Sequence, residues 1–135
     1  MAERSLVEQK LALSRELIGQ LKADEAPLLA AYWELPAEKD RWIFYLVPRS
    51  PEAENKLVKA TSKVMITSPY RSVFSLSDVY VDAHQIARAR AIASYLRSSE
   101  DLGRQFDTTF TRGEYFESVI VLYVDPELQK AHHAA

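Results

Sequence analysis

The sequence contains no cysteine and only three glycines, which are isolated at Gly19, Gly103 and Gly113. Without cysteine, a chain cannot form disulfides, thiolate nucleophiles, iron–sulfur clusters or cysteine-ligated zinc sites. Loops that bind phosphate need clustered glycines, so that backbone N–H groups can surround the anion. The sequence therefore has neither a Walker loop nor a dinucleotide-binding fingerprint, and we expect no cofactor.

An excess of positive charge and a long apolar run are also missing. The chain has 17 basic and 19 acidic residues, and its formal net charge is −2. This balance disfavours nucleic acid as a partner, because proteins that bind nucleic acid draw most of their affinity from neutralising phosphates. No stretch approaches the roughly 20 apolar residues that span a membrane, and no apolar run typical of a signal peptide follows the first residues. We expect a cytoplasmic protein with no membrane partner.

What the sequence does contain is enough apolar material for a core. Hydrophobic residues make up 47% of the 135 residues. A chain of this length buries roughly two-thirds of its unfolded surface, so it needs no disulfide or metal to fold. No linker, repeat or low-complexity tract divides it. We predict a single domain over residues 1–135.

Three segments have the periodicity of amphipathic helices. Residues 3–22 place apolar side chains at steps of three and four. A second helix starts with Ser50 as N-cap and Pro51 at the first helical position, and it ends before Pro69. A third covers residues 83–98, where Asp82 and Gln85 resemble a capping box.

Five segments are typical of strands. The predicted strands are residues 28–35, 41–48, a short piece of 73–81 centred on 79–81, 105–111 and 115–124. Residues 36–40 form a polar turn that predicts an antiparallel hairpin, and residues 67–73 are predicted to be a loop. In 105–111 the alternation places Phe106, Thr108 and Phe110 on one side. The predicted fold class is α+β, a mostly antiparallel five-strand sheet with three helices in the order α-β-β-α-β-α-β-β.

One set of residues has the chemistry of an anion-binding pocket. Tyr70 and Arg71 lie in the predicted loop 67–73, and a guanidinium beside an aromatic ring and hydroxyls suits a carboxylate or phosphate. Asp82, His84 and Arg88 lie at the start of the third helix. Each has a simpler explanation as well: an ordinary turn, a helix cap, a solvated imidazole and a solvated arginine. We expect no metal site, although the spacing of Asp82 and His84 leaves a carboxylate–imidazole pair open.

Four aromatic residues of the first hairpin form a candidate interface: Tyr32, Trp33, Trp42 and Tyr45. Alternation places Tyr32 and Trp33 on opposite faces of their strand, so one of the two faces the core. If the other face stays open, its aromatic side chains would form a surface of the kind found at protein interfaces. The alternative is that helices cover both faces.

The layout of the chain resembles that of short bacterial proteins of unknown function. The resemblance rests on a leading helix, the segment Leu29–Trp33, the segment Arg41–Pro48, the segment Ser75–Val81 and the final hairpin. It covers most of the chain and implies no chemistry for any residue.

Two functions from different classes remain. The first is a non-enzymatic interaction module that self-associates, as a homodimer, or binds a protein partner. The alternative is a small-ligand or anion-binding domain with a pocket near Tyr70, Arg71 and His84. Such a domain could also be that of an enzyme. No nucleophile–base motif points to catalysis. A third hypothesis, nucleic-acid binding through the arginines of the third helix, runs against the overall charge.

Overall fold

The described residues form one five-stranded sheet with helices on both faces. The computed structural model describes residues 8–67, 70–74 and 78–128. The strands are β1 (Leu28–Leu35), β2 (Ile43–Pro48), β3 (Val79–Val81), β4 (Gln105–Thr111) and β5 (Glu114–Val124). They lie in the order β3-β2-β1-β5-β4, and every pairing is antiparallel except that of β2 with β3. The predicted α+β class and mostly antiparallel sheet are confirmed.

Four α-helices accompany the sheet in this part of the chain: α1 (Glu8–Ala23), α2 (Glu54–Met65), α3 (Tyr70–Val73) and α4 (Ile86–Tyr95). Buried side chains of α1, α2 and α3 pack with Trp33 and Phe44 on one face of the sheet. Buried side chains of α4 pack with Tyr32 and Phe116 on the other. Strand β1 lies at the centre and all of its residues are buried, because neither face is left to solvent.

Because helices cover both faces of the sheet, most of the aromatic residues in the candidate interface of the first hairpin are buried. Tyr32, Trp33 and Trp42 are buried within the chain. Only Tyr45 of the four is partly accessible, and its ring lies 5.6 Å from that of Tyr32. Three of the four candidate interface residues are therefore part of the core, because helices pack over both sides of β1.

Helix α1 is placed by an apolar stripe that contains one serine. The stripe consists of Leu13, Ser14, Leu17, Ile18 and Leu21. The Ser14 hydroxyl donates to the Lys10 carbonyl and accepts a 2.8 Å hydrogen bond from Trp33 Nε1. This hydroxyl can be buried because both of its roles are satisfied. The predicted first turn, residues 3–7, lies outside the described residues.

The boundaries of α2 and α4 differ from the predicted ones for local reasons. Before α2, Pro51–Ala53 form a 3₁₀ turn; Ser50 is extended, as an N-cap is, but its side chain makes no capping hydrogen bond. The predicted helix 83–98 consists of a 3₁₀ turn, Ala83–Gln85, followed by α4, which ends at Tyr95 because Leu96 is extended. The predicted loop 67–73 is wrong at its end, where Tyr70–Val73 make one helical turn.

Strand β4 departs from the predicted alternation at Thr108. Phe106 packs against the α4-side cluster, and the Thr111 hydroxyl donates to the carbonyl of Ala91 in α4. These positions are five apart, so a regular strand would place them on opposite faces. Thr108 has φ +50°, a conformation that β-branched residues rarely adopt. The local twist there exposes Phe110, whose exposed fraction is 70%.

Candidate functional site

A polar cluster lies between α4 and the sheet and is centred on Glu34 and Arg88. Arg88 Nη1 and Nη2 donate to the two carboxylate oxygens of Glu34 at 2.5 and 2.9 Å. The Glu34 side chain is only 5% exposed and that of Arg88 is 20% exposed. Arg88 also donates to the Tyr115 carbonyl, and its guanidinium lies 4.1 Å from the centre of the Phe116 ring. The pair therefore joins α4 to β1 and β5.

The charged groups of this cluster are paired with one another. Burial disfavours the charge on Arg88, but the hydrogen bonds and charge of Glu34 outweigh it and raise the pKa of the guanidinium. Beside it the Tyr32 hydroxyl donates to Gln85 Oε1, and burial raises the pKa of this phenol well above its ordinary value. Glu114 adds a contact of 3.4 Å to Arg88 Nε. Because Nη1 and Nη2 each donate to two acceptors and Nε lies beside Glu114, Arg88 acts as a structural tie between α4 and the sheet.

Asp82 and His84 lie together, but they form a helix cap. Asp82 Oδ1 accepts from the backbone N–H of His84 at 2.9 Å and lies 3.1 Å from His84 Nδ1. The imidazole is 97% exposed. Gln85 does not complete a capping box, because its side chain bonds to Tyr32 and Arg88. No group of three or more potential metal ligands occurs among the described residues.

Tyr70 and Arg71 lie on the opposite face of the sheet from Arg88. Tyr70 is buried in the cluster formed by α1, α2 and the sheet, where it stacks on Phe74, and burial raises the pKa of its phenol. Arg71, the next residue of the same turn, is exposed. The five residues of the predicted pocket therefore form three separate environments, because the sheet divides Tyr70 and Arg71 from Arg88.

Arg71 borders a cleft of about 360 Å³ between α2 and β3. The apolar lining consists of Val58, Met65, Ile66, Val79 and Val81. Two hydroxyls, of Thr61 and Ser62, and the Arg71 guanidinium are its polar groups. The volume is at the small end of the range of about 300–1,000 Å³ that is usual for ligand sites.

The edge of this cleft is apolar and open to solvent. Ile66 is 68% exposed at its edge and Val58 is also exposed. No ion pair joins Arg71 to another residue in 8–67, 70–74 or 78–128. An apolar concavity with a single unpaired cation beside it fits an amphipathic anion. We call this site the α2–β3 cleft.

A larger depression of about 610 Å³ lies between the end of α4 and β4. Two of its hydroxyl groups are already paired, since Ser94 and Thr111 both donate to the carbonyl of Ala91, and Tyr95 and Arg97 also line it. Its carboxylate, Asp101, accepts from the backbone N–H groups of Arg97 and Ser98. Its lining is more polar than that of the α2–β3 cleft, so it offers an apolar ligand less surface against which to bury.

Sequence reasoning identified Arg71 but not the rest of the α2–β3 cleft. Val58, Thr61 and Met65 fall within the second predicted helix, which is correct for α2. Their place in the wall of a cleft comes from the position of α2 beside β3, which lies well beyond α2 in the chain.

Comparisons with protein-family models, with curated proteins and with solved structures found no match to this chain. The resemblance to short bacterial proteins therefore stays a prediction. No helix in the described part of the chain combines the length and apolar character needed to cross a bilayer. Function has to be inferred from the geometry of the site.

Proposed function

We propose that this chain is a small-ligand-binding domain that holds an amphipathic carboxylate in the α2–β3 cleft. The observation that carries the proposal is the pairing of a mostly apolar cleft with Arg71, an exposed guanidinium that has no ion-pair partner among the described residues. Apolar burial would supply most of the affinity. The guanidinium would supply orientation and selectivity for a negative group.

A carboxylate fits the cleft better than a phosphate does. One guanidinium offers two parallel N–H groups, which match the two oxygens of a carboxylate and balance its single charge. Phosphate sites usually add backbone N–H groups from a glycine-rich loop or a long helix N-terminus, and the three glycines of this chain are isolated. The described lining of the cleft contains no imidazole or carboxylate, so we propose binding and no acid–base chemistry there.

Calorimetric titration with straight-chain carboxylates from butanoate to dodecanoate tests this proposal. We expect affinity to rise with chain length until the cleft is full and then to level off or fall. The matched alcohols and amines should bind more weakly, because they lack the charge that Arg71 recognises. Equal affinity for acid, alcohol and amine would contradict the proposed role of the guanidinium.

Variants of Arg71 separate the charge from the apolar surface. Arg71→Gln should weaken binding of the best acid by about 10-fold, because a charge-assisted hydrogen bond contributes about 1.5–3 kcal/mol and partial exposure reduces that. Arg71→Lys should lose less, since it keeps the charge but not the planar pair of donors. Arg90→Gln is the control, because Arg90 is exposed on α4 and lies outside the lining of the cleft.

Self-association is a second proposed function, and the hairpin of β4 and β5 is the observation that favours it. Phe110 is mostly exposed there, and its ring lies 6.5 Å from that of Tyr115, which is also exposed. Strand β4 lies at one edge of the sheet. A second copy of the chain that packed on these rings would form a homodimer in which each copy covers the other's aromatic pair.

Native mass spectrometry tests both proposals in one experiment. A dimer that becomes a monomer on Phe110→Ser would support self-association through the hairpin. A monomer at all concentrations would end that proposal. A retained small mass in the wild-type protein that is lost from Arg71→Gln would support ligand binding in the α2–β3 cleft.

A further inference from the structure

The α2–β3 cleft has a direction that follows from how its two elements are connected. Strands β2 and β3 are parallel, so the chain between them has to return along the sheet, and α2 runs antiparallel to β3. At the start of α2, Glu54 Oε1 accepts a 3.0 Å hydrogen bond from the backbone N–H of Ala83, which follows β3. The start of α2 therefore lies at the end of β3, and the end of α2 lies beside the start of β3.

Arg71 lies at the end of α2. The backbone N–H of Thr67 donates to the Val64 carbonyl at 3.1 Å, and the backbone N–H of Arg71 donates to the Thr67 carbonyl, also at 3.1 Å. The chain therefore turns back directly after the last turn of the helix. Arg71, the one cation in the described lining of the cleft, belongs to the end opposite the contact between Glu54 and Ala83.

Helix α2 supplies one row of lining side chains between these two ends. Val58, Ser62 and Ile66 are successive members of the row, each one turn after the last. The exposed fraction falls from 68% at Ile66 to 39% at Val58. One turn before Val58, Glu54 is bonded to the end of β3. The cleft is therefore open beside Ile66 and closes just beyond Val58.

The length of this row can be compared with the length of an alkyl chain. Val58 and Ile66 are two turns apart, which places them about 12 Å apart along the axis of α2. An extended chain advances about 1.2 Å per bond, as the polypeptide backbone does. A carboxylate held at the open end therefore places the tenth carbon or so of its chain beside Val58.

We propose that the cleft selects unbranched carboxylates by length, with a limit near about ten carbons, and that Val58 is the residue that sets the limit. The inference rests on the proposed function, because Arg71 holds the carboxylate and so fixes the end from which the chain is measured. Shorter acids leave apolar lining uncovered. In longer acids the last carbons reach the closed end and gain no further burial.

The test extends the calorimetric series of straight-chain acids to tetradecanoate. Affinity for the wild-type protein should rise about two- to fourfold per methylene, the gain expected from burying one such group, as far as about decanoate. Further methylenes should add nothing or weaken binding. An affinity that levels off by hexanoate, or that rises at a constant rate to tetradecanoate, would overturn the inference.

Two variants of Val58 assign the limit to this residue. Val58→Phe adds bulk near the closed end and should shorten the best acid by about two carbons, whereas Val58→Ala should lengthen it by about one or two. Lys56→Phe is the control, because it adds the same ring to an exposed position of α2 outside the lining, and it should leave the best length unchanged. Val58 is partly exposed, so both of its variants should fold. If Val58→Phe does not, then Val58→Ala and the wild-type series decide.

The failures of the two proposals are distinguishable. If no carboxylate binds, or if Arg71→Gln binds acids as well as the wild type, the proposed function fails and the inference with it. If acids bind and depend on Arg71, but the best length is the same in the wild type and the Val58 variants, then only the inference fails.

Discussion

The Arg88–Glu34 pair offers a prediction whose magnitude follows from the structure. Arg88→Met keeps most of the aliphatic stem but removes every donor, together with the guanidinium that lies over the Phe116 ring. The Glu34 carboxylate, 5% exposed, then loses its countercharge and both hydrogen bonds from the guanidinium. Removing one partner of a buried ion pair costs about 3–5 kcal/mol. We expect that loss in the free energy of unfolding, which for a domain is about 5–15 kcal/mol in total.

The complementary variants show why the loss is expected to be asymmetric. Glu34→Gln leaves a cation that is more exposed than Glu34 and keeps the Tyr115 carbonyl and Glu114 as acceptors, so about 1–3 kcal/mol should be lost. The double variant Glu34→Leu with Arg88→Met leaves no buried charge. It should regain most of what Arg88→Met loses, because apolar replacements of buried ion pairs are often neutral.

Urea unfolding followed by tryptophan fluorescence measures these differences, since Trp33 and Trp42 are buried in the folded chain. The decisive comparison is between Arg88→Met and the double variant at neutral pH. If both are destabilised equally, the loss comes from packing and from the Tyr115 contact, and the reasoning about the orphaned carboxylate is refuted. A loss below about 1 kcal/mol in Arg88→Met would show that water reaches Glu34.

Three further predictions concern single side chains. Tyr32→Phe should lessen the fall in the free energy of unfolding above about pH 10. The phenol of the unfolded chain ionises near that pH, whereas burial raises the pKa of the folded one, so the stabilisation present at lower pH is lost as pH rises. Three other tyrosines share the effect, because burial raises their pKa as well. Thr108→Gly should stabilise by about 0.5–1 kcal/mol in thermal melts because φ is positive there, whereas Thr109→Gly, at a buried position with no such φ, should destabilise. Ser14→Ala should cost about 1–3 kcal/mol in urea unfolding by leaving the Trp33 N–H unpaired, and no loss would mean that water replaces the hydroxyl.

Much of the fold could be predicted because its signals are local. Local residues alone predict the conformation of β1, β4 and β5 and of the polar turn before β2. The Asp82 cap was also readable, since capping depends on neighbouring positions. The conformation of Thr108 could not be predicted, because the alternation around it gives no sign of its positive φ.

Sequence reasoning predicted only part of the candidate site. Arg71 was identified by its chemistry, but the grouping of Arg71 with Arg88 assumed that nearby segments meet on one side of the sheet. They do not, because α3 packs with α1 and α2 while α4 covers the other face. Which face a helix covers depends on the crossover between strands, and no residue of the helix records it.

The sequence by itself determined most of the helices and strands, though not the single turn α3, because the periods of about 3.6 and two residues and the turn residues are properties of short stretches. It also determined that no glycine-rich phosphate loop or cysteine site exists. The tertiary structure alone decided that β3 pairs in parallel with β2, that Glu34 meets Arg88, and that α2 and Arg71 line one cleft. These contacts join residues far apart in the chain, and they arise from packing both faces of one sheet at once.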